Sequence, residues 1–268
     1  MDSRAQVLDR LLGLPRLLLS LTIFLSFFLV SGLLCLLALP RLLFGRPGPR
    51  AQRRYRRGLN LGFHRFMAML RAFHLIDFRL PERRPDHPQG AFLVIANHPT
   101  LLDVALLLSA CPEAVCLVKS DWYRSPFLRP LLLLGDHIPG SAIEEFMPGS
   151  TSPAPVVERI EQKLREGVPV VVFPEGTRSP RRGLRRFRRG ALEAATRAGV
   201  PVVQVFLDVD RPFLMKGQPL WQMPTARVRY HFEWLGHVDV STSRDSRALA
   251  SQLRRHYQTR LAQIPEGR

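Results

Sequence analysis

The chain has 268 residues, enough for one sizeable domain or two small ones, and a formal net charge of +17. Lysine stands only at Lys119, Lys163 and Lys216, so arginine carries nearly all the positive charge, a skew that a GC-rich genome alone would produce. Such a surface attracts anionic lipid, phosphorylated substrates or nucleic acid, while the three cysteines, Cys35, Cys111 and Cys116, show no metal-ligand spacing and argue against a disulfide frame or a metal centre.

Leu17 to Leu39 is apolar apart from serine, threonine and glycine, which is long enough to cross a hydrocarbon core as a helix, by spanning or by re-entering. An arginine series follows, Arg46, Arg50, Arg53, Arg54, Arg56 and Arg57, whereas Arg4, Arg10 and Arg16 on the other flank are offset by Asp2 and Asp9. The positive-inside bias places the C-terminal bulk in the cytoplasm. Arg50 to Phe78 reads as a second helix, with Leu59, Phe63, Phe66, Met67, Leu70 and Phe73 near helical spacing. Its pattern suits either a core-facing helix or an amphipathic one in the headgroup region. Pro81 to Gly90 reads as a linker, dividing an anchoring part, 1–80, from a catalytic part, 81–268.

Beyond the linker, strand-like runs at Ala91–Ala96, Ala114–Val118, Val170–Phe173, Val200–Leu207 and Arg227–Trp234 alternate with helical runs at Leu101–Ser109, Trp122–Leu134, Val156–Leu164, Gly190–Ala198 and Ser246–Ala262. Pro126 and Pro130 should break the second helical run, and Gly167 suits the C′ position of the third. Gly135–Ser141 reads as a turn and Phe146–Pro155 as a loop. The alternation predicts an α/β fold, a largely parallel sheet flanked by helices, preceded by the two N-terminal helices.

Two strand ends carry chemistry. Asn97-His98-Pro99-Thr100-Leu101-Leu102-Asp103 follows the first strand and places an imidazole at its mouth, with an acid five residues on, in the first turn of a helix. A general base needs such an acid to hold one ring nitrogen; Thr100 and Asp103 also fit a plain capping box. Pro174-Glu175-Gly176-Thr177-Arg178-Ser179 ends the strand Val170–Phe173. Arg178 suits a phosphate, because guanidinium binds it in bidentate fashion. Glu175 cannot bind phosphate while ionised and suits fixing Arg178 or the loop, or an acceptor hydroxyl; the block also fits a plain turn. No Gly-x-Ser-x-Gly elbow is present, and neither Cys111 nor Cys116 has a partner histidine. A backbone amide near Gly176 is a candidate oxyanion donor. The arginines Arg181, Arg182, Arg185, Arg186, Arg188 and Arg189 fit a solvated loop, or a surface for anionic lipid or an acidic donor.

Together, His98-x4-Asp103 and Phe173-Pro-Glu-Gly-Thr-Arg-Ser179 resemble the two signature blocks of the glycerolipid (lysophospholipid) acyltransferase family, the 1-acylglycerol-3-phosphate acyltransferase type included. The resemblance runs from about Phe92 to Val205 and extends to Phe187-Arg188-Arg189-Gly190 and Val200-Pro201-Val202-Val203. It implies an N-terminal membrane-anchoring helical pair and a membrane-bound enzyme that moves a fatty acyl group from acyl-CoA or acyl-carrier protein, as co-substrate and with no cofactor, to a lysolipid hydroxyl. The leading acceptor is 1-acylglycerol 3-phosphate, giving phosphatidic acid at the bacterial inner membrane. It assigns catalysis to His98 and Asp103 and acceptor binding to Glu175, Gly176, Thr177 and Arg178. Lys119 falls where the family often has a lysine, though it also suits a solvated surface position. Two departures bear on the acceptor. Gly135-Asp136-His137-Ile138-Pro139 lacks the arginine that phosphatidate-forming members often carry there, and Gln204 replaces a second proline. The Gly-x-x-Ile-Pro ending looks more like a bacterial subgroup that accompanies dedicated acyl-carrier-protein pathways, including those for aryl polyene lipids, so the same chemistry on an aryl polyene or amino-acid lipid is the alternative. A non-enzymatic basic protein binding anionic lipid or nucleic acid is the rival of another class; it has no use for the two strand-end blocks.

Overall fold

The computed structural model describes residues 3–43, 47–80, 88–111, 113–126, 128–140, 155–181, 183–219, 222, 224, 226–240 and 245–264. Eight helices and seven strands are found among them. Two helices come first, α1 (Ser3–Leu43) and α2 (Pro49–Ala72). The strands are β1 (Ile76–Phe78), β2 (Leu93–Ala96), β3 (Val115–Val118), β4 (Ile138–Pro139), β5 (Val170–Val172), β6 (Val202–Val209) and β7 (Val228–Val238). Between and after them lie α3 (Asp103–Ala110), α4 (Ser120–Arg124), α5 (Arg129–Leu134), α6 (Val156–Arg165), α7 (Gly190–Ala198) and α8 (Ser246–Ala262).

All seven strands join one sheet in the order β1-β7-β6-β2-β5-β3-β4, parallel except for the β6–β7 pair. Every residue of β2 and β5 is buried, as expected of central parallel strands covered on both faces. The period of two divides them between two cores. Val94 and Ala96 face a core shared with α1, α2 and α3, whereas Leu93 and Ile95 face one built with α6, α7 and α8. β7 alternates as its sequence predicts, burying Val228, Tyr230, Phe232 and Trp234. Gly167, at φ +80°, follows α6 and lets the chain turn directly into β5.

The fold class is the expected one, with four local differences. The second helix stops at Ala72; His74 takes a left-handed φ of 55°, and residues 76–78 pair with β7 as an edge strand. The sheet therefore begins upstream of the linker. Trp122–Leu134 forms two short helices that part near Pro126; Pro130 does not break α5 but sits in its first turn, where a missing N–H costs nothing. The predicted turn at Gly135–Ser141 contains β4, whose Ile138 pairs with Leu117. β7 runs antiparallel, with its register shifted at Gln204/Val205. Most of the Phe146–Pro155 loop lies outside the described residues.

α1 contains the one helix segment among the described residues that is long and apolar enough to cross a membrane, Gly13–Pro40. α2 returns along it, with Phe66 against Phe24 and Phe27 at centroid distances of 5.7 and 4.4 Å. On its other side α1 exposes Leu14, Leu18, Leu25, Leu29, Leu33, Leu36 and Leu37. A soluble domain seldom leaves so large an apolar stripe uncovered.

Candidate active site

The two signature blocks meet at the carboxyl ends of neighbouring strands, where Ile95 of β2 is in register with Val172 of β5. In open α/β sheets this end is where ligands bind. Asn97 fixes the exit from β2. Its amide donates to the Leu207 carbonyl at 2.7 Å and accepts from the Leu207 N–H at 2.8 Å, mimicking one more rung of the β2–β6 ladder. The chain is then free to turn outward at His98.

Asp103 is wholly buried at the start of α3 and lies 2.8 Å from His98 Nδ1 through Oδ2. Oδ2 also accepts the Thr100 N–H, and Oδ1 accepts the Thr100 hydroxyl, both at 2.7 Å. Since Thr100 donates to the acid, the Tyr230 hydroxyl, 2.7 Å away, donates to Thr100 Oγ1. The capping-box geometry and the His–Asp pair thus coexist, and a relay from β7 ends on the carboxylate. With Oδ2 accepting at this distance, the proton of the imidazole sits on Nδ1. His98 Nε2, which makes no hydrogen bond among the described residues, presents its lone pair outward. Phe173 stacks on the imidazole, 4.0 Å between centroids at 21°, and fixes the plane of the ring. Burial and the nearby Asp103 charge push the Tyr230 hydroxyl far above its ordinary range, so it remains a donor at any working pH.

The second block is clipped to the first. The Ser179 N–H donates to the His98 carbonyl at 2.7 Å, and the His98 N–H donates to Ser179 Oγ at 3.0 Å. The Ser179 hydroxyl in turn donates to Glu175 Oε1, and Oε2 of that buried acid accepts the Arg185 N–H at 2.8 Å. Glu175 therefore holds the loop and the His98 backbone rather than Arg178. Gly176 adopts φ +70°, which calls for glycine, and the exposed Arg188 guanidinium lies over it, 2.9 Å from where a Cβ would stand. Its N–H donates to the Phe173 carbonyl at 2.9 Å, which removes it as the oxyanion donor.

Arg178 is half-buried beside the pair. Its Nη1 donates to the carbonyls of Leu214 and Met215 at 2.8 and 2.9 Å. The Leu214 carbonyl also accepts the Leu101 N–H at 3.1 Å, so a single residue, itself at φ 51°, ties both blocks together. Burial lowers the Arg178 pKa from its ordinary value and the Asp103 charge raises it, which places the guanidinium within the field of the His–Asp pair. Thr177 is half-buried on the same loop. Lys119 ends β3 at this edge of the sheet, but its side chain is 74% exposed and pairs with Asp121. The structure brings together His98, Asp103, Glu175, Gly176, Thr177 and Arg178, and leaves Lys119 apart.

Thr100, Tyr230, Ser179 and Leu214 complete the cluster: Thr100 and Ser179 stand within the two sequence blocks, which gave them no role in the site, and Tyr230 and Leu214 lie outside both blocks. Outside the blocks, the tyrosine on the buried face of an alternating strand gave a sequence signal and Leu214 gave none. Cys111 and Cys116 are buried, and burial pushes the Cys116 thiol up to about 12, so neither supplies a thiolate nucleophile.

Residues 76–208 match the family model described as acyltransferase. The chain is 28% identical over 187 residues to the chloroplastic 1-acyl-sn-glycerol-3-phosphate acyltransferase BAT2 of Brassica napus, covering 68% of this chain and 52% of that protein. It is 27% identical over 173 residues to the human 1-acyl-sn-glycerol-3-phosphate acyltransferase beta, covering 60% and 61%. The chain thus spans about half to three fifths of the length of these curated relatives. Among solved structures, the 1-acyl-sn-glycerophosphate (LPA) acyltransferase PlsC from Thermotoga maritima superposes with a TM-score of 0.69 at 19% identity, over 95% of this chain and 99% of that one.

Proposed function

Because this chain belongs to the acyltransferase family, we propose that it moves a fatty acyl group from acyl-CoA or acyl-carrier protein to the hydroxyl of a lysophospholipid, foremost 1-acylglycerol 3-phosphate, giving phosphatidic acid. The observation that carries this reading is the buried Asp103 holding His98 Nδ1 while Arg178 stands on the adjoining strand end. The acceptor hydroxyl attacks the thioester carbonyl directly, and His98 Nε2 takes its proton as the C–O bond forms. The imidazolium, held by Asp103, then gives that proton to the departing sulfur as the C–S bond breaks. No enzyme nucleophile is required, in keeping with the inert cysteines.

Arg178 keeps Nε and Nη2 free among the described residues and would hold the acceptor phosphate. The relatives' printed names support that choice of acceptor. One observation favours the alternative, an aryl polyene or amino-acid lipid: Lys119 is turned to Asp121, and residues 135–139 carry no arginine, so the ends of β3 and β4 bring no cation to Arg178. Residues 1–80 would serve as the anchor at the bacterial inner membrane, with the leucine stripe of α1 in lipid and the sheet on the cytoplasmic side. The test is transfer by the purified full chain, in a non-ionic detergent, from acyl-CoA and acyl-carrier protein to lysophospholipids with and without a phosphomonoester. His98→Ala should lower turnover roughly 10²–10⁴-fold. Near-normal turnover in that variant, or no transfer to any lysolipid from either donor, would sink the proposal.

A further inference from the structure

At the other end of the sheet lies a cavity of about 850 Å³. Its walls include Glu113, His137 and Pro169, which stand before β3, β4 and β5, so it opens at the amino ends of the strands, away from His98. The first turns of α2 close it, through Arg50, Arg53 and Arg56.

Two of its donors lack partners. Arg56 is only 5% exposed and makes no hydrogen bond or ion pair among the described residues; its Nε is buried without an acceptor. The carboxylates nearby are already engaged. Glu113 is held by Arg53 and Arg57, and Asp136 and Glu166 share Lys163 at 2.5 Å each. They act on Arg56 only through space, while burial, the larger effect, lowers its pKa. His137, also 5% exposed, is the second. The Cys116 N–H donates to its Nδ1 at 3.0 Å, so the ring hydrogen is on Nε2, and that N–H is likewise buried without an acceptor. A Cβ on Gly135 would stand 2.9 Å from this nitrogen, so only glycine lets the ring pack this closely against the chain before β4. A buried guanidinium and a buried imidazole N–H, both unanswered, are costly unless an anion completes them.

Its position says which anion. α2 follows the apolar span closely in sequence, and the exposed stripe of α1 reaches Leu36, Leu37 and Leu39 just before the turn into α2. The apolar surface thus leads toward the basic cavity, which suits a lipid with acyl chains on α1 and its phosphate at α2. We propose that this cavity is a second lipid site, separate from the acyl-transfer site, and that Arg56, beside the uncharged His137 ring, binds the phosphate of an anionic membrane phospholipid.

The test uses the full chain in an uncharged detergent and follows its thermal midpoint as dihexanoyl phosphatidylglycerol, dihexanoyl phosphatidylcholine or inorganic phosphate is added at fixed ionic strength. Phosphatidylglycerol should raise the midpoint saturably, as any ligand of the native state does. Inorganic phosphate should act in the same place but only at higher concentration, and phosphatidylcholine should have little effect. Arg56→Gln should weaken the phosphatidylglycerol response at least about tenfold in concentration, in line with losing a charge-assisted bond. Arg54→Gln, which removes the same charge from an exposed position outside the cavity, should change it less than about twofold. Should Arg56→Gln not fold, Arg56→Lys decides, because a point charge cannot reproduce the fork and the response should still weaken. Arg178→Gln should leave the response intact, so the result stands whatever becomes of the acyl-transfer reading. No saturable response, equal effects of Arg56→Gln and Arg54→Gln, loss of the response in Arg178→Gln, or a response to inorganic phosphate alone would overturn the proposal.

Discussion

Asp103→Asn isolates the charge of the buried acid from its geometry. The amide oxygen can take the place of Oδ2, still accepting the Thr100 N–H and the His98 Nδ1–H. The amide nitrogen then replaces Oδ1 and donates to Thr100 Oγ1, which turns its own hydrogen to the Tyr230 hydroxyl. All contacts survive and the tautomer is kept; what disappears is a negative charge beside the imidazolium that forms as the acceptor loses its proton. With charge centres about 4 Å apart and an effective dielectric of about 20, that interaction is worth roughly 4 kcal/mol. The loss expected in kcat is therefore roughly 10³-fold, with acceptor and donor KM nearly unchanged, because the charge matters only once the proton has moved. Single-turnover transfer, measured beside the thermal midpoint, checks this. A fall under about tenfold in a folded variant, or a loss confined to KM, would refute the electrostatic role given to Asp103. Tyr230→Phe should cost far less, a few-fold in kcat, since it removes one neutral bond at the end of the relay.

Other outcomes follow from the same geometry. Gly176→Ala should lower stability by about 1–2 kcal/mol, the cost of a left-handed backbone with a Cβ; an unchanged denaturation midpoint would contradict this. Arg178→Lys should raise the KM of a phosphate-bearing acceptor roughly tenfold and leave the donor KM alone, whereas equal losses on phosphate-free acceptors would favour the uncharged-lipid alternative. His137, buried beside Arg56, has its pKa lowered from 6.5 to about 4. The unfolded chain takes up this proton first as pH falls, so the contribution is full above about 6.5 and is lost toward about 4, by roughly 3 kcal/mol. Denaturation midpoints across that range should fall more steeply for the native chain than for His137→Gln; parallel curves would refute the assignment.

The parts of this molecule legible in its sequence are those where one local pattern has one physical cause. β2 and β5 read as buried runs because both faces are covered, and β7 as an alternating strand because only one is fully buried. β1 and β4 escape notice for the opposite reason. They have three and two residues, too few for any period, and exist only because β7 and β3 offer them edges. The site divides in the same way. His98 and Asp103 are five residues apart and one turn joins them, so their pairing could be read directly. Tyr230 reaches Thr100 across 130 residues, and the Leu214 carbonyl meets Arg178 across 36, contacts that only the completed sheet creates. The two halves of the chain are joined by the same logic. Ile23 and Phe24 of α1 and Phe66 of α2 belong to one core with Val94, Ala96 and Leu102, the residues directly beneath His98. A helix so packed cannot swing freely relative to the sheet. On the proposed reading, with the leucine face of α1 in a bilayer, its depth fixes the height of His98 and Arg178 above the lipid, so the first helices would set the reach of the site as well as its attachment.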